Sequence, residues 1–275
     1  MAQVSATAAS VFDTGSRQMG EKPHSEPGTM PASATCAPGH PPAGPKVNLG
    51  CGPVQPEDWV NVDGSRRAWL ANRLWPLDSL LVRIGALPPT EFGRHVKVHD
   101  LLRPLPFPDG SVACIYAGEV WEHFEYPDAA RLTAECFRVL APGAVLRICV
   151  PDGVAFWARY VDLHREQMKM PPAERRASVM RDHVQLYFHD IATRRILLGS
   201  LGHTHKWQFD EVQLVALLQS AGFMDVARMS FRHSRIPNIA AVERSDFLIV
   251  EGVKPLNAEA SLLPPAPNAR AASMA

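Results

Sequence analysis

The run Asn48-Leu49-Gly50-Cys51-Gly52, entered through Lys46-Val47 and followed shortly by Val60-Asn61-Val62-Asp63, constrains this chain more than any other segment. Two short apolar stretches flank a glycine turn, which predicts strand, turn, strand. Glycines at 50 and 52 allow a sharp reversal and let backbone approach a ligand where a Cβ would collide. A Gly-x-Gly pair alone marks a tight turn as readily as a binding site. The carboxylate of Asp63, closing the second strand, favours the site, because an acid there accepts hydrogen bonds from neighbouring hydroxyls. Pro53-Val54-Gln55-Pro56 follows at once, leaving too little chain for a helical crossover. The first connection is therefore expected to be a turn.

Downstream, strands and helices alternate. Val96-Lys97-Val98-His99 reads as a short strand ending at Asp100, and Val112-Ala113-Cys114-Ile115-Tyr116 as a buried strand after the Pro108-Asp109-Gly110 turn. Pro127-Asp128 opens a helix whose apolar positions Leu132, Cys136, Val139 and Leu140 keep helical spacing up to Pro142-Gly143. Val145 to Val150 is the next strand. Asp210 caps a helix that buries Leu214, Leu217 and Leu218, with Phe209 before the cap and Gly222 after the last turn. Met224 to Met229 and Phe247 to Val253 form a closing strand pair. Such alternation predicts an α/β fold with a mostly parallel sheet covered on both faces. Residues 64–94 and 153–200 are helical insertions, carrying Trp69, Leu70, Leu74, Trp75, Leu77, Leu81 and Ile84 in the first and Phe156, Trp157 and Tyr160 in the second. Their apolar stripes are expected to pack as core. Both follow strand carboxyl ends, so a lid over a substrate is the second expectation.

The 275 residues suffice for one domain with a sizeable core. With 28 basic and 28 acidic residues, nothing steers the chain toward nucleic acid or an anionic membrane. The five cysteines, at 36, 51, 114, 136 and 149, form no Cys-x-x-Cys pair, and three lie in apolar periodic stretches. Reduced thiols in a cytoplasmic protein are expected. No apolar run has transmembrane length, and no secretion signal is expected. Residues 1–45 and 255–275, rich in Ala and Pro, are expected to be disordered tails flanking a domain at 46–254. Oligomeric state is not legible.

Taken together, these motifs resemble the class I S-adenosylmethionine-dependent methyltransferases, in a short-loop, type 11-like bacterial branch often associated with cell-surface polysaccharide. The resemblance rests on Asn48 to Gly52 with Trp59 to Asp63, on Asp100-Leu101 with Leu105 to Ser111, on Glu122-His123, on Arg138 to Gly143, and on His205-Lys206-Trp207 with Ala221-Gly222-Phe223. Ala144 departs from the family's usual second glycine. The resemblance implies a Rossmann-like, seven-stranded, mostly parallel sheet with S-adenosyl-L-methionine as cofactor. Gly50, Cys51 and Gly52 would line its methionine end, Asp63 would hold the ribose, and Asp100 with Leu101 would contact the adenine. The acceptor it implies is a small molecule or a glycan or lipid-linked sugar precursor. The alternative is a noncatalytic binding or scaffold protein that keeps the fold, which the presence of both Asp63 and Asp100 disfavours.

Methyl transfer from a sulfonium is an in-line displacement that mainly demands positioning. A base is needed when the acceptor arrives protonated. Glu119, Glu122 and His123 follow the fourth strand. His123 is the general-base candidate because imidazole titrates near neutrality, with Glu122 orienting it or the acceptor. Packing or capping is the competing reading for His123, as capping is for Asp100. Glu119, His205 and Trp207 are candidate acceptor contacts, with a structural role the alternative for His205. His183, His189, His203 and His205 share no ligand spacing with a cysteine or a carboxylate pair, so no metal is expected.

Overall fold

A computed structural model describes residues 42–86, 92–189 and 205–256, with the side chains of 186–189 left aside. Most of both expected tails, together with residues 190–200 and His203, lies outside the described residues.

Sheet formation follows the apolar runs. β1 (Lys46–Leu49), β2 (Val60–Asp63), β3 (Lys97–Val98), β4 (Val112–Gly118), β5 (Leu140–Val150), β6 (Met224–Arg228) and β7 (Leu248–Val253) form one sheet in the order β3-β2-β1-β4-β5-β7-β6. β1 pairs parallel with both β2 and β4, β4 with β5 and β2 with β3, while β7 runs antiparallel between β5 and β6. The order reverses between β1 and β4, and that switch point is where open α/β sheets take ligands. The expected Rossmann-like, mostly parallel seven-stranded sheet is present, and β1 reaches β2 through turns with no helix between them.

The two faces are built differently. Ile115 and Ala117 of β4, with Leu146, Ile148 and Val150 of β5, pack in one cluster with Leu132 and Cys136 of α3 (Tyr126–Val139) and Leu214, Leu217 and Leu218 of the Glu211–Ser220 helix. The alternate positions Cys114, Tyr116, Val145 and Cys149 point the other way, against Trp59, Ile236, Ile239 and Val242. Over β4, β5 and β7 that second face is covered by the segment around 229–245, whose regular structure is one 3-10 turn, Ile239–Ala241. Sequence periodicity gave no hint of this cover, because a loop carries none.

Arg147 of β5 points into the second face and is fully buried. It uses Nε and Nη2 on Glu243, Nη1 on Glu251, and reaches the carbonyls of Ser230 and His233 at 3.1 and 3.0 Å. Burial alone would pull the guanidinium down, yet the hydrogen bonds to Glu243 and Glu251 leave it shifted up. This network fastens the 229–245 segment to the sheet.

Two sequence expectations need correction. Leu140 is not a helical residue: α3 stops at Val139, and Leu140 opens β5 opposite Val112. The apolar stripes of the insertions are not core either. α1 (Arg66–Arg73) and α2 (Trp75–Arg83) bury Leu70 but expose Trp69, Leu74, Trp75, Leu77 and Ile84, and α4 (Gly153–Met168) exposes Trp157. Periodicity measures amphipathicity and does not identify what covers the stripe. α5 (Ala177–His189) follows α4, and α6 is the Glu211–Ser220 helix. Its Asp210 cap accepts from Gln213 N at 2.8 Å. No helix among the described residues is long and apolar enough to cross a membrane.

Candidate functional site

The glycine turn is left-handed at both glycines, with φ of 62° at Gly50 and 50° at Gly52. At Gly50 the requirement is also steric, since a Cβ would lie 2.3 Å from Val120 Cγ2. The turn is bolted down by Cys51 N donating to Val62 O, and by Gln55 Nε2 donating to Gly52 O at 2.6 Å while its own Oε1 accepts from Gly93 N at 2.8 Å.

Asp63 joins the turn to the next element. Its Oδ2 accepts from Gly52 N at 3.1 Å and its Oδ1 from Ser65 N at 2.8 Å. Ser65 in turn caps α1 by accepting from Ala68 N. Each carboxylate oxygen keeps a second lone pair for a ligand hydroxyl. Asp100 is exposed, and its Oδ1 accepts from Leu102 N at 3.0 Å, a local turn contact that leaves the other oxygen to Arg103 at 3.7 Å. Leu101 packs against the core. His99 Nε2, one residue before Asp100, is buried without a hydrogen-bond partner among the described residues.

Arg244 stands over the turn, its Nη1 3.0 Å from where a Cβ on Gly52 would be. Its neighbours explain its position. Glu243 is held by Arg147, and Ser245 donates its hydroxyl to Glu119 Oε1 at 2.5 Å and its carbonyl accepts from Cys149 Sγ. Arg244 was not singled out in the sequence because it lies in a segment without periodicity. The buried Cys51 thiol is pushed up to about 12, by burial first and then by the Asp63 carboxylate, with Arg244 opposing.

The end of β4 supplies the second half of the site. Glu119 takes a positive φ of 59° and remains exposed. The chain then makes a 3-10 turn, Trp121–His123, anchored by Trp121 Nε1 donating to Thr133 Oγ1 at 3.0 Å inside the core. Residues 205–207 dock on that turn: Lys206 N and Trp207 N both donate to the Glu122 carbonyl, at 2.7 and 3.2 Å. His123 and His205 consequently face each other with ring centroids 5.0 Å apart, and Trp207 packs on Tyr126 at 5.4 Å. Glu122 is buried, and its carboxyl is pushed up to about 8, by burial above all, with a backbone hydrogen bond opposing and Glu119 adding. Asp152, at the end of β5, caps α4 by accepting from Val154 N and Ala155 N.

The structure therefore brings Glu122, His123 and His205 into one cluster and Gly52, Asp63 and Arg244 into another. Gly50, in the turn of the second cluster, lies against Val120, which leads into the turn of the first.

A family model described as a methyltransferase domain matches residues 86–148. A probable S-adenosylmethionine-dependent methyltransferase of Mycolicibacterium smegmatis is 41% identical over 58 residues, 21% of this chain and 22% of that protein. The chain thus spans about a fifth of that relative's length. Among solved structures, a SAM-dependent methyltransferase from Methanosarcina mazei is 20% identical, covers 77% of this chain and 92% of its own, and superposes with a TM-score of 0.40. One from Archaeoglobus fulgidus is 12% identical over 78% of this chain and 87% of its own, with a TM-score of 0.41.

Proposed function

We propose that this chain is an S-adenosylmethionine-dependent methyltransferase whose acceptor is a small molecule or a glycan or lipid-linked sugar precursor. One observation carries the reading: the Asp63 carboxylate ends β2, the neighbour of the switch-point strand β1, and is hydrogen-bonded to the glycine turn at Gly52. The methyltransferase-domain match over residues 86–148 supports it.

The residues present fit the cofactor. Asp63 offers lone pairs to the ribose hydroxyls, and Arg244 offers a guanidinium to the amino-acid carboxylate above Gly52. The unpartnered His99 Nε2 and the outer oxygen of Asp100 supply polar contacts for adenine, with Leu101 as its apolar wall. A short turn without a helix suits this ligand, which has no pyrophosphate to be neutralised by a helix dipole.

When bound, the cofactor would supply an electrophilic methyl group on a sulfonium whose leaving group is a neutral thioether. The work left to the chain is positioning and proton removal. His123 and His205 present imidazoles on the acceptor side of the Gly50–Val120 contact. An imidazole there takes the proton of an acceptor hydroxyl, and Trp207, packed on Tyr126, offers an aromatic surface beside it. Glu119, exposed at the end of β4, is placed to accept from an acceptor hydroxyl.

Isothermal titration with S-adenosylhomocysteine tests the reading. Binding is expected, and Asp63→Ala should weaken it by about 1.5–3 kcal/mol, the scale of hydrogen bonds to a charged group. No binding by the folded wild-type chain would refute it.

A further inference from the structure

We infer that Glu122, His123 and His205 form a binding site for one divalent first-row transition-metal ion. Each offers one ligand atom, and these atoms all lie within 4.8 Å of one another. An ion bound at about 2.0–2.2 Å by tetrahedrally disposed ligands needs those atoms roughly 3.4 Å apart. The difference is on the order of an ångström, the scale of side-chain rotation.

A second, independent observation points to a cation. Glu122 is 1% exposed, and beyond a contact with its own backbone N–H neither carboxylate oxygen has a hydrogen-bond partner among the described residues. Leaving a buried carboxylate without a partner is costly, so such a group is either kept neutral or compensated by positive charge. A merely neutral acid would still be expected to donate its proton to a neighbouring acceptor. Glu122 instead has a carboxylate oxygen within 4.8 Å of a ring nitrogen of each of two imidazoles.

The scaffold also argues for a built site. The ligands come from two segments far apart in sequence, yet the carbonyl of Glu122 itself accepts from Lys206 N and Trp207 N, which fixes His205 in register with the 3-10 turn. The Trp121–Thr133 bond anchors that turn from below, and Tyr126 against Trp207 fixes the docked segment from the side. This separation is why the spacing of His183, His189, His203 and His205 points to no metal: the partners of His205 follow β4.

The donor set selects the ion. Two imidazoles with one carboxylate suit Zn²⁺, Mn²⁺, Fe²⁺ or Co²⁺, whereas Mg²⁺ and Ca²⁺ prefer all-oxygen sites. Three protein ligands leave at least one coordination position open. On the methyltransferase reading, that position would take the acceptor oxygen, and the ion would assume the proton-releasing role otherwise assigned to His123. The site itself does not depend on that reading.

The test uses the untagged full chain, stripped with chelator and titrated with Co²⁺ while its visible absorption is followed. One Co²⁺ per chain is expected, displaced by Zn²⁺, with at least a tenfold loss of affinity in Glu122→Gln and in His205→Ala. Asp63→Ala should bind Co²⁺ like the wild type, so loss of cofactor binding and loss of metal binding are read separately. Should Glu122→Gln fail to fold, His205→Ala, on the docked segment, still decides the matter. Absence of binding up to about 1 mM Co²⁺, or undiminished binding in His205→Ala, overturns the proposal.

Discussion

Arg147 and Glu243 form a fully buried two-point ion pair, with Nε to Oε1 at 2.7 Å and Nη2 to Oε2 at 2.9 Å, and the residue after Glu243 is the arginine that stands over the glycine turn. A core contact on β5 thereby sets the position of a candidate cofactor-binding side chain. Glu251 takes the Nη1 of the same guanidinium, so one arginine organises the second face of the sheet around two carboxylates.

Breaking this pair should be severe. Glu243→Gln removes a buried charge partner and should cost about 3–5 kcal/mol, the usual result of leaving one member of a buried pair uncompensated. Urea denaturation measures it. A change below about 1 kcal/mol would mean that Glu251 alone satisfies Arg147.

Arg244→Ala should leave stability near wild type, since the side chain is exposed. It should weaken S-adenosylhomocysteine by roughly tenfold, the low end of a charge-assisted hydrogen bond. Adenosine, which lacks the amino-acid carboxylate, should bind both proteins equally. Equal losses for the two ligands would place Arg244 elsewhere in the site.

Much of the fold was legible because strands and amphipathic helices announce themselves by period. β1, β2 and the glycine turn between them needed only a few residues to identify, and the missing first helix followed from the short distance to Val60. Leu140 misled because its apolar character fits a helix end and a strand start equally well. The exposed faces of α1 and α2 misled because amphipathicity does not name its partner. The site was half legible. Asp63 and Gly52 lie close in sequence and meet in space. Arg244 and the partnership of His205 with Glu122 arise from tertiary packing of irregular segments, which leaves no periodic trace.

Gly50→Ala should be far worse than its size suggests. A Cβ there meets Val120 Cγ2 at 2.3 Å, and the left-handed φ of 62° adds about 1–2 kcal/mol for any L side chain. Because Val120 leads directly into the turn bearing Glu122 and His123, the variant should lose both cofactor affinity and activity. Combining it with Val120→Ala should restore part of the stability, as read from the melting temperature, by removing the clash while leaving the backbone strain. No recovery in the double variant would show that strain alone is responsible.

Cys51, at the centre of the turn, should behave as a thiol and not as a thiolate across the neutral range. Burial and the Asp63 carboxylate push it up to about 12, against an ordinary value near 8.5 for an unfolded chain. A folded-state value raised in this way stabilises the native state fully below about 8.5 and loses that contribution as pH climbs toward 12, because only the unfolded thiol ionises in that window. Iodoacetamide at pH 8 should accordingly label Cys51 slowly in the native protein and rapidly in urea, with peptide mass spectrometry identifying the site. Bound S-adenosylhomocysteine should slow native labelling further by covering the turn. Rapid native labelling at pH 8 would show that the turn opens readily, and labelling indifferent to the ligand would separate Cys51 from the cofactor's methionine end.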